Sequence, residues 1–173
     1  MIILDLDMTL VDTSIAEKLR DARQWAAVYN VINKMSLYQE MKQLVDLFHS
    51  HDIKIAIVTN SPSQYAIRVL RHFNLHYDTL VAYHDVKRRK PDTEPYEVSI
   101  KRFEPSEIKN VVVFGDKLAD MIPAKKMQFI SCACLWSVDD NLRQEFFDMD
   151  LNYYFNSPAE AYSCFAEMLK KYK

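Results

Sequence analysis

Glycine is all but missing from this chain: its 173 residues include one, Gly115. Turns therefore fall to Asn, Asp, Ser and Pro, and the single glycine is expected where no other residue fits. Cysteine is nearly as scarce, with Cys132, Cys134 and Cys164. An odd count without disulfide-like spacing fits a reducing compartment. Cys132 and Cys134 share one face of ISCACL (130–135), which favours packing over a redox pair or metal site. No apolar run approaches a membrane span, and the opening run meets Asp5 too soon for a secretory leader. Neither charge dominates: 22 Lys and Arg face 24 Asp and Glu, a net charge of -2. That balance removes the bulk electrostatic case for nucleic acid or a membrane surface. The expectation is a cytoplasmic protein with no membrane partner.

What is present is a core. Apolar residues make up 49% of a length suited to one domain. Short apolar runs, IILDL (2–6), IKIAIV (53–58), TLVAY (79–83), VVVF (111–114) and ISCACL (130–135), alternate with helical patterns. Such runs suit strands buried on both faces. Ser61 reads as a helix N-cap, with Pro62 at the first helical position and Gln64 closing a capping box; Tyr65, Val69 and Phe73 then mark one face. Ser157-Pro158-Ala159-Glu160 repeats the device before Tyr162, Phe165, Ala166 and Leu169. The alternation predicts a doubly wound, Rossmann-like three-layer α/β/α fold with a mainly parallel sheet of five or six strands. One domain spanning 1–173 is expected, since no repeat, low-complexity tract or linker interrupts it.

Ligands of such sheets bind beyond the carboxyl ends of the strands. There the sequence sets Asp5, Asp7 and Thr9 after the first strand and Thr59 and Asn60 after the second. Asp116 follows Gly115 after the fourth, and Asp120 lies one helical turn on. Clustered carboxylates repel unless a cation lies among them, and hard oxygen donors suit Mg²⁺. Thr59 and Asn60 precede a helix whose free N–H groups favour an anion. Lys90 could add a positive charge. A Mg²⁺–phosphate site is the expectation. The gap of two between Asp5 and Asp7 starts both on one side of a strand.

These residues resemble the haloacid dehalogenase superfamily, and the resemblance spans almost the whole chain. Its Asp-x-Asp-x-Thr motif matches Asp5, Asp7 and Thr9. Its Ser or Thr after a hydrophobic strand matches Thr59, its Lys-Pro matches Lys90-Pro91, and its Gly-Asp-x-x-x-Asp matches Gly115, Asp116 and Asp120. The resemblance implies a Mg²⁺-dependent phosphomonoester hydrolase. Asp5 would be the nucleophile, forming an aspartyl-phosphate, and Asp7 the general acid and base. Mg²⁺ would rest on the Asp5 carboxylate, the Asp7 carbonyl and Asp116. Asp120 and Thr9 would act behind these ligands, and Thr59, Asn60 and Lys90 would bind the phosphoryl oxygens. An acid at position 7 argues against the dehalogenases of the family, and against its transport ATPases, which carry Thr there. Met8, Pro123 and Gln128 depart from the family pattern without removing a catalytic group.

Family members often carry a cap over the site. Here residues 13–35 offer room only for a short helical segment, so no full cap domain is expected. Its Trp25 and Tyr29 fit core better than a substrate platform. An open site admits small metabolites, the favoured partners, and also phosphorylated macromolecules; a second copy of the chain could cover it. Nucleic acid is a disfavoured partner. Lys87, Arg88 and Arg89 read as a solvated run or as recognition of extra negative charge, and His84 as a loop residue near the leaving group. A non-catalytic binding module and a phosphatase for phosphoproteins or nucleic-acid ends are the alternatives to a metabolite phosphatase.

Overall fold

The structure, a computed structural model, describes residues 1–104, 108 and 110–171. Six strands form a parallel sheet: β1 (Ile2–Leu4), β4 (Ile55–Val58), β5 (Thr79–Val81), β6 (Val112–Gly115), β7 (Ile130–Cys134) and β8 (Tyr153–Phe155). Their order is β5-β4-β1-β6-β7-β8. The chain builds outward from β1 on one side and then returns to add β6 on the other, so the order reverses beside β1. That reversal opens a crevice at the carboxyl ends of β1, β4 and β6. The strand TLVAY is shorter than expected, because Tyr83 already donates its N–H to the Ser61 carbonyl in the loop above the sheet. The sixth strand, YYF, carries no β-branched residue, which hid it in the sequence.

Alternate residues of each strand bury on opposite faces. Ile2, Leu4, Ile55, Ile57, Val112, Phe114, Cys132 and Cys134 join one apolar cluster with α3 (Gln39–Ser50), α4 (Ser63–His72) and α8 (Pro158–Lys170). Ile3, Ala56, Val58, Val81, Val113 and Ala133 join another. That second cluster includes Tyr96 of α5 (Glu94–Ile100), Met121 and Ala124 of α6 (Leu118–Lys126) and Phe146 of α7 (Asp140–Asp148). The sheet is thus sandwiched between two helical layers. Cys132 and Cys134 are free and buried, as packing residues.

Two short strands, β2 (Val11–Asp12) and β3 (Ser36–Leu37), pair antiparallel. Between them the chain forms α1 (Glu17–Asp21) and α2 (Trp25–Asn30), with 3₁₀ turns at Ser14–Ala16 and Ile32–Lys34. Among the described residues no helix is long and apolar enough to cross a membrane.

Scarcity of glycine leaves a visible mark. Positive φ angles fall on Met8, Arg23, Asp52, Asn74, Gln128 and Asp150. All but Met8 directly follow the C-cap residue of a helix, where glycine is usual. Gln24, Ile53, Leu75 and Phe129 then donate back to Leu19, Phe48, Leu70 and Ala124, closing four helix ends. Asp and Asn were the expected substitutes; Arg23, Gln128 and Met8 were not. Gly115 has no positive φ. Its constraint is space: an added Cβ would lie 2.4 Å from Cβ of Asp120.

Candidate active site

Asp5 and Asp7 extend past the end of β1 and diverge there. The Asp5 N–H still bonds the Phe114 carbonyl at 3.0 Å, in continuation of the sheet. The chain then turns tightly, with Met8 left-handed at φ 63. Met8 N–H donates to Val11 O at 2.8 Å, and its own carbonyl accepts from Trp136 Nε1 and Ser137 Oγ, each at 3.1 Å. These bonds hold a conformation in which glycine would carry no strain.

Lys90 enters from the loop after β5. Its Nζ lies 2.7 Å from Asp5 Oδ1, 2.5 Å from Asp120 Oδ1 and 2.7 Å from Val58 O, which occupies all three of its N–H donors. Asn60 Nδ2 holds the Lys90 carbonyl at 2.9 Å, joining the loops after β4 and β5. The other Asp120 oxygen accepts the Lys117 N–H at 3.1 Å. Asp116, at the end of β6, accepts Thr9 Oγ1 at 3.0 Å.

Asp5, Asp116 and Asp120 are buried and offer oxygens within 4.8 Å of one another, so they could hold a metal ion. The electrostatics agree with that crowding. Burial, then the neighbouring Asp120 and Asp7, push the Asp5 carboxyl up to about 6, against the pull of Lys90. Burial and the charges of Asp5 and Asp120 raise Asp116 well above the usual carboxylate range. Burial alone would lower the Lys90 ammonium, but Asp120 and Asp5 outweigh it and raise it.

Asp7 has separate partners. Ser61 Oγ donates to Oδ2 at 2.7 Å and Tyr65 OH to Oδ1 at 2.6 Å, and Arg20 Nη1 pairs with Oδ1. The expected cap at Ser61 is therefore corrected: Pro62 is the N-cap residue of α4 and makes no side-chain cap, because the Ser61 hydroxyl is drawn to Asp7. Ser157 does cap α8, accepting the Glu160 N–H at 3.2 Å. Thr59 Oγ1 accepts the Ser61 N–H at 3.0 Å, so its own hydroxyl proton is free to donate.

A cavity of about 470 Å³ covers this chemistry. Asp5, Asp7, Thr59, Asn60, Lys90 and Asp120 line it on the sheet side. Glu17, Arg20, Asp21, Arg23 and Trp25 of the inserted segment form the facing wall. Trp25 is half-buried, packing on the core and lining the cavity at once. His84 lines it too, edge-on to Tyr83. The basic run does not: Arg88 pairs with Glu94 and Asp92, and Arg89 lies over the Tyr83 ring at 4.0 Å. Sequence reasoning had Tyr65 only as a core residue and did not single out Arg20. Tyr65 follows the helix period, which hides its hydroxyl, and nothing in the spacing of Arg20 marks it.

Residues 14–134 match the family model described as haloacid dehalogenase-like hydrolase. Pyrophosphatase PpaX of Halalkalibacterium halodurans is 28% identical over 117 residues, 65% of this chain and 53% of its own length. A relative in Caldanaerobacter subterraneus aligns over 46% of its own length. The chain thus spans about half the length of the curated relatives it matches. A hydrolase from Pseudomonas syringae superposes with a TM-score of 0.77 at 18% identity, covering 96% of this chain and 97% of that one. A HAD-superfamily hydrolase from Geobacter sulfurreducens gives 0.68 at 15% identity, covering 94% and 97%.

Proposed function

Because the chain belongs to the haloacid dehalogenase-like hydrolases, we propose that it is a Mg²⁺-dependent phosphatase of small phosphorylated compounds, acting through an aspartyl-phosphate on Asp5. The observation that carries this is the state of Asp5. It is buried at the cavity floor with Oδ1 held by Lys90, and its Oδ2 has no hydrogen-bond partner among the described residues.

The donor set fits a hard divalent cation. Three buried carboxylates face one buried ammonium, which leaves two negative charges uncompensated when all are ionised. Asp5, Asp116 and the Asp7 carbonyl would hold Mg²⁺, with Asp120 and Thr9 behind them. When bound, the ion neutralises charge on the phosphoryl oxygens.

In the first step an Asp5 carboxylate oxygen forms a bond to phosphorus while the bond from phosphorus to the leaving oxygen breaks. A proton held by Asp7 passes to that oxygen. In the second step water adds to phosphorus and gives its proton to Asp7. The Asp5–phosphorus bond breaks and phosphate leaves. The Thr59 hydroxyl offsets charge on the equatorial oxygens by donating a hydrogen bond, and Lys90 by its charge alone, since its donors are spent. The amide of Asn60 is spent on the Lys90 carbonyl, so this residue serves the phosphate through its backbone N–H and by fixing Lys90.

The cavity volume suits a small metabolite rather than a folded macromolecule. The pyrophosphatase name of the curated relative widens the candidates to phosphoanhydrides. Three carboxylates buried together, with one carboxylate oxygen left without a partner among the described residues, favour a metal-dependent catalytic centre over a module without turnover. The test is phosphate release from a panel of small phosphates, phosphopeptides and phosphorylated oligonucleotides, with and without Mg²⁺. Mg²⁺-dependent release from the small compounds is expected; release from none of the panel refutes the proposal.

A further inference from the structure

Arg20 is not needed to hold Asp7. Tyr65 and Ser61 already donate to both Asp7 oxygens, at 2.6 and 2.7 Å. Yet the inserted segment carries a guanidinium to the same spot, where Nη1 meets Asp7 Oδ1 and lies 3.5 Å from Tyr65 OH. The side chain is only 14% exposed. Desolvating a guanidinium costs several kcal/mol, so a duplicate contact is a poor account of it.

Three observations indicate what Arg20 does. First, its Nε and Nη2 have no acceptor among the described residues, and Arg20 lines the cavity. A guanidinium with open donors matches a carboxylate or phosphate edge. Second, the other buried cation is committed, since Lys90 spends its three donors on Asp5, Asp120 and Val58. Arg23 and Lys117 also line the cavity but are exposed, as are Glu17 and Asp21, so water screens them. Third, Arg20 is braced by an aromatic pair: its Cζ lies 5.8 Å from the Tyr65 ring centre, and Trp25 meets that ring at 6.0 Å.

We propose that Arg20 recognises a second anionic group on the leaving side of the substrate. This rests on the phosphatase reading, in which Asp7 faces the leaving oxygen; a cation seated on Asp7 is then beside the departing fragment. The preferred substrates are small phosphate monoesters or anhydrides whose leaving group itself bears a carboxylate or a phosphate.

The experiment compares the wild type, Arg20→Gln and Arg20→Lys on three matched alkyl monophosphates, ending in a carboxylate, a phosphate or an uncharged amide. An aryl phosphate serves as a common reference. The wild type is expected to favour at least one anionic substrate over the amide by about tenfold or more in kcat/KM, a difference of ~1.4 kcal/mol. Whichever anion gains more identifies the group recognised. Arg20→Gln is expected to bring the ratio near one, chiefly through KM, while Arg20→Lys keeps part of it. A wild-type ratio near one, or an unchanged ratio in Arg20→Gln, overturns the assignment. So does a loss in both variants that is equal on all four compounds, since Arg20 would then act only through Asp7. Failure of the wild type on all four compounds overturns the phosphatase reading itself.

Discussion

The Lys90 ammonium lies 2.5 Å from Asp120 Oδ1, and the same nitrogen reaches Asp5 at 2.7 Å. One cation therefore braces acids delivered by two different parts of the sheet edge. Replacing it with a neutral residue leaves Asp5, Asp116 and Asp120 buried together without an internal counter-charge. Lys90→Gln is expected to destabilise the metal-free protein by about 3–5 kcal/mol, read from urea unfolding at neutral pH. Added Mg²⁺ should recover part of the loss, while turnover stays low.

Asp5→Asn tests the nucleophile. The amide nearly preserves shape and removes one of the crowded charges, so the fold should be at least as stable as the wild type without metal. Turnover of an aryl phosphate should fall by on the order of 10⁴-fold or more. Steady-state kinetics beside a thermal melt checks both halves; activity surviving in a folded Asp5→Asn protein removes Asp5 from the role.

The pH dependence has a definite sign. Folded Asp5 titrates at about 6, against an ordinary value of 3.8. Between those values the folded state holds the proton more tightly than the unfolded chain. Stability contributed by Asp5 without metal therefore falls as pH rises through that interval, and is level above it. Mg²⁺ competes with the same proton, so its stabilisation should grow over that range. At about 100 times Kd the gain is ~2.7 kcal/mol, or ~5–10 °C in Tm. Melting curves across pH with Mg²⁺ and with chelator measure it; a Tm gain independent of pH would exclude Asp5 as a ligand.

Gly115→Ala would set a methyl 2.4 Å from Cβ of Asp120 and 2.5 Å from its carboxylate. Asp120 must move, and its carboxylate both caps the first turn of α6 and holds Lys90. We expect a stability loss of about 1–3 kcal/mol and a larger proportional loss of activity, measured by unfolding and kinetics on one preparation.

Much of this is legible in the sequence. Strand ends are punctuated by Asp5, Thr59 and Asp116, and the topology of a parallel sheet brings such ends together whatever the loops do. The special status of Gly115 could also be read, though not its cause: φ is ordinary and the demand is for space beside Asp120. Ser61 shows where local signals mislead. Its spacing to Gln64 is that of a helix cap, yet a buried carboxylate from another strand won its hydroxyl. Arg20 was beyond reach for the opposite reason. Its partner is set by how the inserted segment folds back, and nothing local encodes that contact.

The pairing of Val11 with Leu37 and Asp12 with Ser36 brings the two ends of that segment side by side. That ladder closes the segment at its base, while Ala16, Val28 and Ile32 between its ends pack into the core. Loops closed at such a gate lengthen at small entropic cost. Phosphoryl chemistry and substrate choice are thereby separable along the chain: exposed positions such as Glu17, Asp21 and Arg23 can vary, or take insertions, while the acids at the strand ends stay as they are.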